Sequence, residues 1–416
     1  MKAITIQLFR YLALLLLIFS FAGAAAQDSF VTVSGKLKDA KTGEKIVHAT
    51  ITVPGTNVGT VSNSDGEFTL KVNASVKAEY FEVSHLSYST TRFRISEATG
   101  KEKTFTMEVK PIQLQEISVV PKDARGIVEM AMNRVRQNYA ETPNLMTAFY
   151  RESIRQKKDY ISLSEAVVDI YKAPYTGLQN DQVKIYKGRK GTNVLKADTL
   201  LVKLQGGPNV SLLLDIVKNT DLGIALYNLD SYHFEIGKMV SIDDQLNWVI
   251  SFSPAEGKDE PLYFGKLYIA QNDLAVTRAE FNLDLRQAEK AASIFIQKKP
   301  SGMNFVPTFT SYLVTYKKQQ GRYYLSYLRA DVQFGCDWSK RGYKNTYTVM
   351  SEMAVTDRKE KDVEKFTGDE IFRSYMVLTE KVENFEDADF WGTNNIIEPD
   401  ESIETAIKKL SKSMKR

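Results

Sequence analysis

Short runs of alternating apolar and polar residues fill residues 33–70. Three apolar residues alternate with threonines in one of these runs: Ala49, Ile51 and Val53. Turn signals separate the runs at residues 39–43, 54–57 and 63–66. In the first and last of these turns, Gly43 and Gly66 stand where the backbone calls for positive φ, a conformation that glycine adopts cheaply. Since alternation with a period of two is typical of half-buried strands, the region is predicted to be a small all-β sandwich.

From residue 146 onward the chain is dominated by longer runs rich in Tyr, Phe, Val and Ile. Strands are predicted at residues 147–155, 160–171, 182–187, 232–242, 248–254, 263–270, 275–285, 308–318, 323–334 and 343–356. Residues 271–273 and 318–321 have the composition of turns between neighbouring strands. Many strands with few helices favour one large curved antiparallel sheet with helices against a face.

Helical periodicity is confined to a few segments. Asp123 is a predicted N-cap for a helix that runs to about residue 139. Pro208 opens a predicted helix over residues 208–218, and residues 402–414 form a third with lysines near its C-terminal end. The whole chain is therefore predicted to be mainly β.

The N-terminal region carries a set of spaced motifs: Gly35, Asp39, Thr42-Gly43-Glu44, Gly55-Thr56, Gly59-Thr60 and Asp65-Gly66-Glu67-Phe68. Together they resemble the carboxypeptidase regulatory-like domain over about residues 30–110, with Ser87 at a position where that family usually has glycine. The resemblance implies a transthyretin-like β-sandwich without catalytic activity. The same module precedes many outer-membrane transporters and envelope proteins of Gram-negative bacteria.

Two weaker resemblances concern the rest of the chain. The helix at residues 123–139, running into residues 147–152, resembles a poorly characterised Gram-negative envelope family that pairs this sandwich with such a segment. Residues 248–254, 263–269 and 275–281 are similar to strands of periplasmic lipoprotein carriers. Those carriers fold as open half-barrels that hold acyl chains on the concave side, so the resemblance implies a half-barrel-like sheet here.

The ends of these regions predict a division of the chain. Residues 1–26 combine Lys2 and Arg10, an apolar run and a small-residue cleavage site, the pattern of a secretory signal peptide. We expect the sandwich over residues 27–110, a linker bracketed by prolines over 111–122, and an α+β domain with the large sheet and a C-terminal helix over 123–416. The predicted location is the periplasm or the outer membrane of a Gram-negative envelope.

The net charge and the cysteine content limit the classes of partner that the protein is expected to bind. The formal net charge of +4 over 416 residues is too small for the concentrated basic face that nucleic-acid binding requires. The single cysteine, Cys336, lies in a strand-like run and is expected to be a buried, inert side chain. A lipid or an outer-membrane protein is the expected partner, with peripheral membrane association possible and the oligomeric state left open.

Residues suited to catalysis or metal binding are sparse. The three histidines, His48, His85 and His233, show no ligand spacing, and the first two are expected at the surface or an edge of the sandwich. Serine-nucleophile and phosphate-loop motifs are absent, so residues 188–191 are predicted to be a turn between strands. The sequence therefore predicts no catalytic, cofactor-binding or metal-binding residue, and no enzyme.

Three further features allow more than one interpretation. Acidic residues at 383–389 suit a solvated surface, with calcium binding as the alternative. Residues 206–208 suit helix initiation or anion binding at a helix N-terminus. Tyrosines at 323, 324, 327, 343 and 347 are expected to pack across strands rather than line a groove.

The predicted function is a non-catalytic envelope protein that binds or braces. Its curved sheet would hold a lipid or acyl ligand, or an outer-membrane partner. The alternatives are a secreted hydrolase that uses Asp and Glu pairs, and a surface glycan-binding module.

Overall fold

The computed structural model describes residues 30–100, 103–110, 123–177, 179–193, 203–204, 206–219, 226–258, 260–298, 303–338, 344–384 and 390–414. The predicted signal peptide and linker lie outside these residues.

Strands make up most of the regular structure. They are β1 (Phe30–Asp39), β2 (Thr50–Thr52), β3 (Gly59–Val61), β4 (Glu67–Asn73), β5 (Tyr80–Ser84), β6 (Thr91–Arg94), β7 (Lys103–Met107), β8 (Asn144–Gln156), β9 (Asp159–Lys172), β10 (Gln182–Thr192), β11 (Lys203–Leu204), β12 (Tyr232–Ile236), β13 (Val240–Ile242), β14 (Gln245–Pro254), β15 (Tyr263–Ala270), β16 (Val276–Leu283), β17 (Ile296–Lys298), β18 (Met303–Gln319), β19 (Arg322–Trp338), β20 (Lys344–Lys359) and β21 (Glu383–Asn384). The α-helices of the described residues are α1 (Ile95–Ala98), α2 (Ala124–Asn133), α3 (Val135–Asn138), α4 (Pro208–Leu212), α5 (Ala288–Phe295) and α6 (Glu401–Met414).

The N-terminal strands form the predicted sandwich. One sheet has the order β4-β1-β7 and the other β3-β2-β5-β6. Ala49, Ile51 and Val53 are buried between them, as the alternation predicts. Gly43 and Gly66 have φ of 73° and 76°, so both turn glycines adopt the conformation expected of them. The mainly β fold class, with a sandwich ahead of a large sheet, is confirmed.

Ser87 occupies a strained position in this sandwich. Its φ is 65°, in the left-handed region that costs a residue with a Cβ atom about 1–2 kcal/mol. Its backbone is held there because its N–H donates to the Ser241 carbonyl at 3.0 Å and its carbonyl accepts from the Lys110 N–H at 2.9 Å. The left-handed backbone explains why related domains have glycine at this point.

Ser87→Gly is therefore expected to raise the free energy of unfolding by about 0.5–1 kcal/mol, because relief of strain exceeds the added flexibility of the unfolded chain. Thermal unfolding measures the change, and Ser87→Ala, which keeps the Cβ atom, is the control. A glycine variant no more stable than the alanine variant would contradict this account.

The large sheet has the order β12-β14-β15-β16-β18-β19-β20-β8-β9-β10-β21, with β13 paired to β14 at one edge. Neighbouring strands run antiparallel except at the β10–β21 pair. β20 crosses back to pair with β8, so the first and last long strands of the domain lie side by side. The hairpin between β18 and β19 turns through Gln320 and Gly321, both at positive φ as a tight two-residue hairpin requires.

The two faces of this sheet have different coverings. The inner face, which carries Tyr150 and Leu328, packs against α2 and the residues after α4 in the main core. The outer face, which carries Phe149 and Tyr327, packs against Val61 of the sandwich and residues 390–397. Further along the outer face, α6 covers Leu163 and Met350.

Several predicted elements differ in extent. The first helix breaks at Arg134 into α2 and α3, the helix predicted over 208–218 ends at Leu212, and the strand predicted over 232–242 is split in two. Residues 188–191 lie within β10, so the predicted turn is wrong. Gly188 is needed there because a Cβ atom would lie 2.4 Å from Val382 Cγ1, which indicates close packing and not a reversal of the chain.

Candidate functional site

A cavity of about 420 Å³ lies between the inner face of the large sheet and the segment that contains α4. Its described lining residues are mainly apolar. Most come from β8, β19, β20, the α4 segment, the end of α5 and residues 376–379, and the others come from β9, β10, β15 and β18. Ligand pockets typically fall between about 300 and 1,000 Å³, so the volume suits a small molecule or part of a chain.

Strand register explains why the floor of this cavity is both apolar and recessed. Ala330 pairs with Ser351, and Val332 pairs with Val349, so four inner-face residues lie side by side on β19 and β20. Ala330 and Ser351 have small side chains, so they leave space beside larger neighbours such as Tyr312. The cavity therefore follows from the alternation of small and large side chains on one face.

Apolar residues also lie at the solvent edge of the cavity. Leu213, just after α4, is 53% exposed, and Ile294, near the end of α5, is 40% exposed. Both line the cavity. Solvent-exposed apolar side chains at the entrance to an apolar cavity are typical of a binding site.

A buried lysine that pairs with two aspartates holds the segment that covers the cavity in place. Lys172 Nζ, on β9, lies 2.8 Å from Asp215 Oδ2 and 2.6 Å from Asp181 Oδ2. The Tyr316 hydroxyl donates to Asp215 Oδ1 at 2.7 Å. Burial lowers the pKa of Lys172, but attraction to the two aspartates has the larger combined effect, so the pKa is raised overall. The covering segment is therefore held against the sheet through Asp215, three residues beyond the end of α4.

Glu152 is the one carboxylate among the described residues that line the cavity. Its Oε2 accepts hydrogen bonds from the Tyr150 hydroxyl at 2.8 Å and the Gly207 N–H at 3.1 Å. Burial raises the pKa of Glu152, although these two donors favour the charged form. The glycine pair before Pro208 therefore does face an anion, but that anion is the chain's own carboxylate.

The outer face carries a row of alternating charges across five adjacent strands. In order from β19 to β10 the row is Arg329, Glu352, Arg151, Glu165 and Arg189. Each member is bonded to the next, for example Arg151 to Glu165 at 2.7 Å and to Glu352 at 3.0 Å. Arg151 also donates to the Ile397 carbonyl at 2.8 Å. We call this row the charge ladder.

The histidines lie elsewhere than predicted. His48 stacks on Tyr327 of β19, with ring centroids 5.6 Å apart. His85 joins it at a small cavity whose other walls include Arg278 and Lys317 of the large sheet. Both lie where the sandwich packs against the sheet, so they are partly buried instead of exposed at the surface or edge that the sequence predicted. His233 is exposed beside Glu235.

The other predictions about chemistry have mixed outcomes. Cys336 is buried in β19, as expected. Four of the five tyrosines are buried and packed, while position 343 lies outside the described residues. Of the acidic cluster at 383–389, only Glu383 is described, in β21. Within the described ranges no group of three or more His, Cys, Asp or Glu residues is arranged to hold a metal ion.

Sequence reasoning missed Glu152 and the charge ladder. The signal available was the run Tyr150-Arg151-Glu152, which puts a charged residue on each face of a strand otherwise suited to burial. It does not say which neighbouring strands supply the partners.

A second cavity, of about 490 Å³, lies between α6 and the β8–β9 turn, and its lining is mostly polar.

Comparisons with known proteins bear on the N-terminal region. Residues 33–120 match the family model described as the CarboxypepD_reg-like domain, which confirms the resemblance seen in the motifs. No curated protein matches the chain. In the described part of the chain no helix has the length and apolarity to cross a membrane.

Three solved structures show a distant similarity. An outer membrane lipoprotein-sorting protein domain from Vibrio parahaemolyticus is 10% identical over 58% of this chain and 95% of its own, with a TM-score of 0.27. A DUF1329 family protein from Desulfovibrio piger is 12% identical over 58% and 95%, with a TM-score of 0.26. A membrane-associated protein of unknown function from Bacteroides fragilis is 12% identical over 79% and 97%, with a TM-score of 0.15. These low scores say nothing about what this chain binds.

Proposed function

We propose that this protein is a non-catalytic component of a Gram-negative cell envelope that holds an apolar chain, such as the acyl chain of a lipid, in the cavity on the inner face of the large sheet. The observation that carries the proposal is the cavity itself, with its apolar floor and the exposed Leu213 and Ile294 at its edge. Export is supported by the signal-like pattern of residues 1–26, and an envelope role by the match of residues 33–120.

The energetics of such a site need no catalytic group. Each methylene group that moves from water into an apolar site contributes about 0.8 kcal/mol, so a chain of several carbons binds on burial alone. A hydrolase of the paired-carboxylate type would need two acids facing one cleft. The described lining has a single carboxylate, while Glu165 and Glu352 lie on the opposite face and pair with arginines.

Filling the cavity floor is expected to weaken binding of an apolar ligand. Ala330→Phe puts a ring into the cavity and should weaken binding of the neutral apolar dye N-phenyl-1-naphthylamine by about tenfold or more, since overfilling a packed site costs about 1–3 kcal/mol. Dye fluorescence on titration measures the affinity.

Gln333→Phe is the matched control, because Gln333 lies on the same strand, is exposed and points to the outer face. It should stay within about twofold of the unsubstituted protein, a difference well below 1 kcal/mol. Equal loss in both variants, or no dye binding by the unsubstituted protein, would refute the proposal.

A further inference from the structure

We infer that the cavity selects an apolar chain whose polar end is a hydrogen-bond donor, an amine or a hydroxyl, and rejects chains that end in a carboxylate. The inference rests on the proposed function, and it names the head group that the same cavity accepts. Glu152 is the residue that determines this selection.

The first support is the hydrogen bonding of Glu152. Both described donors, the Tyr150 hydroxyl and the Gly207 N–H, reach the same atom, Oε2. No hydrogen bond from the described residues reaches Oε1. A ligand donor that reaches Oε1 therefore makes a hydrogen bond to a carboxylate, which is stronger than one between neutral groups.

The second support is the charge of the cavity lining. No lysine, arginine or histidine is among the described lining residues, so nothing there compensates a ligand carboxylate. The remaining polar groups near Glu152 are hydroxyls, and Ser211 and Ser351 lie 3.4 Å apart at their Oγ atoms. Hydroxyls hydrogen-bond an alcohol or an amine readily, but they do not offset repulsion between two carboxylates.

The third support is geometry along the cavity. Glu152 and Tyr150 lie on β8, whereas the small residues Ala330 and Ser351 that form the floor lie on the next two strands. Glu152 pairs with Ser351, and Ser351 pairs with Ala330, so the carboxylate lies on the β8 side of the floor and the apolar Ala330 lies two strands away. This arrangement suits a molecule with one head and one chain. Burial also raises the pKa of Glu152, and an ammonium head would lower it again.

The test compares decylamine, decanol and decanoate, which share a chain and differ in the head group, by calorimetric titration at pH 7. We expect decylamine and decanol to bind at least about tenfold more tightly than decanoate, because a hydrogen bond to a charged group commonly changes affinity by that factor. Glu152→Gln should narrow the ratio of decylamine affinity to decanoate affinity by about tenfold. It should leave decanol affinity within about threefold, because the amide oxygen of glutamine still accepts a hydrogen bond from a hydroxyl.

Retained decanol binding shows that the variant keeps its cavity, and Glu235→Gln, an exposed carboxylate on β12, is the matched control. Decanoate binding as tightly as decylamine, or an unchanged ratio in Glu152→Gln, would overturn this inference and leave the proposed function standing. If none of the three probes binds, the proposed function fails and the inference fails with it.

Discussion

Glu165→Gln is expected to lower the free energy of unfolding by about 3–5 kcal/mol, the usual cost of breaking a buried ion pair. Glu165 is 1% exposed and lies between Arg151 and Arg189 in the charge ladder. The substitution keeps the shape of the side chain but removes the carboxylate that Arg151 and Arg189 share. Arginine cannot lose its proton in a protein, so both guanidinium groups stay charged after this shared carboxylate is gone.

Arg151→Met provides the informative contrast. It removes the central cation, but Glu165 keeps Arg189 and Glu352 keeps Arg329, so each glutamate of the ladder still has an arginine partner. We expect it to destabilise less than Glu165→Gln, by about 1–3 kcal/mol, mainly because the Ile397 carbonyl loses its donor. The order of the two variants therefore tests whether a carboxylate shared by two arginines contributes more to stability than the central arginine does.

Urea unfolding measures both effects as shifts in midpoint at constant slope. Glu280→Gln is the control, because Glu280 pairs with Arg278 on the same sheet at 2.7 Å but is 36% exposed. Partly exposed pairs contribute at most about 1 kcal/mol. A loss of less than 1 kcal/mol in Glu165→Gln would mean that the ladder is not the source of stability proposed here.

Acidification from pH 7 to pH 5 is expected to destabilise the protein by about 1–2 kcal/mol for each of His48 and His85. The pKa of both histidines is lowered from 6.5 to about 4, and burial is the largest cause. Arg329 and Arg278 also contribute to lowering the pKa of His48, and Arg278 does so for His85, while Glu352 opposes this at His48 and Glu280 at His85. Protonation therefore puts a cation among cations at the contact between sandwich and sheet.

The direction of this pH effect follows from the number of protons that the folded and unfolded chains bind. Between pH 6.5 and 4 the unfolded chain holds more protons on these histidines than the folded chain, so stability falls as pH falls through this range. Glu152, whose pKa is raised, acts in the opposite direction, because its contribution is present at low pH and is lost as pH rises. Carboxylates with lowered pKa values, such as Glu352, lose their contribution only below about pH 4.5.

Urea unfolding at pH 7, 6 and 5 measures the slope, and the double variant His48→Asn, His85→Gln should flatten it. Asparagine suits position 48 because φ there is 55°, in a region that asparagine tolerates. His233→Gln is the control, since that side chain is exposed. The same slope in the double variant and the unsubstituted protein would show that other groups cause the pH dependence.

Alternation was enough to find nearly every strand of the large sheet, because each strand has one face in the core and that pattern is local. It was not enough to give strand length: β18, β19 and β20 extend several residues beyond their predicted ends. The ends are stabilised by pairing with neighbours distant in sequence, such as Lys359 with Leu145, which no local pattern records. Helix α5 was missed for the same reason, since Ala291 is buried by tertiary packing.

The site was less accessible from sequence than the fold. A cavity depends on which small residues become neighbours, and the pairing of Ala330 with Ser351 is a property of the register. Glu152 looked like one acid among many because its two donors lie at positions 150 and 207, on different elements. The charge ladder similarly combines residues up to 201 positions apart, as in Arg151 and Glu352.

Residues 390–397 contact both the sandwich and the large sheet and so connect the two. Asn395 exchanges two hydrogen bonds with the Lys71 backbone, and the Ile396 carbonyl accepts from Thr60, while Trp391 packs on Phe149 of the sheet. Pulling the sandwich away from the sheet must therefore break the contacts of a third strip of chain at the same time. We therefore expect the sandwich and the large sheet to resist force and to transmit it as a single rigid body.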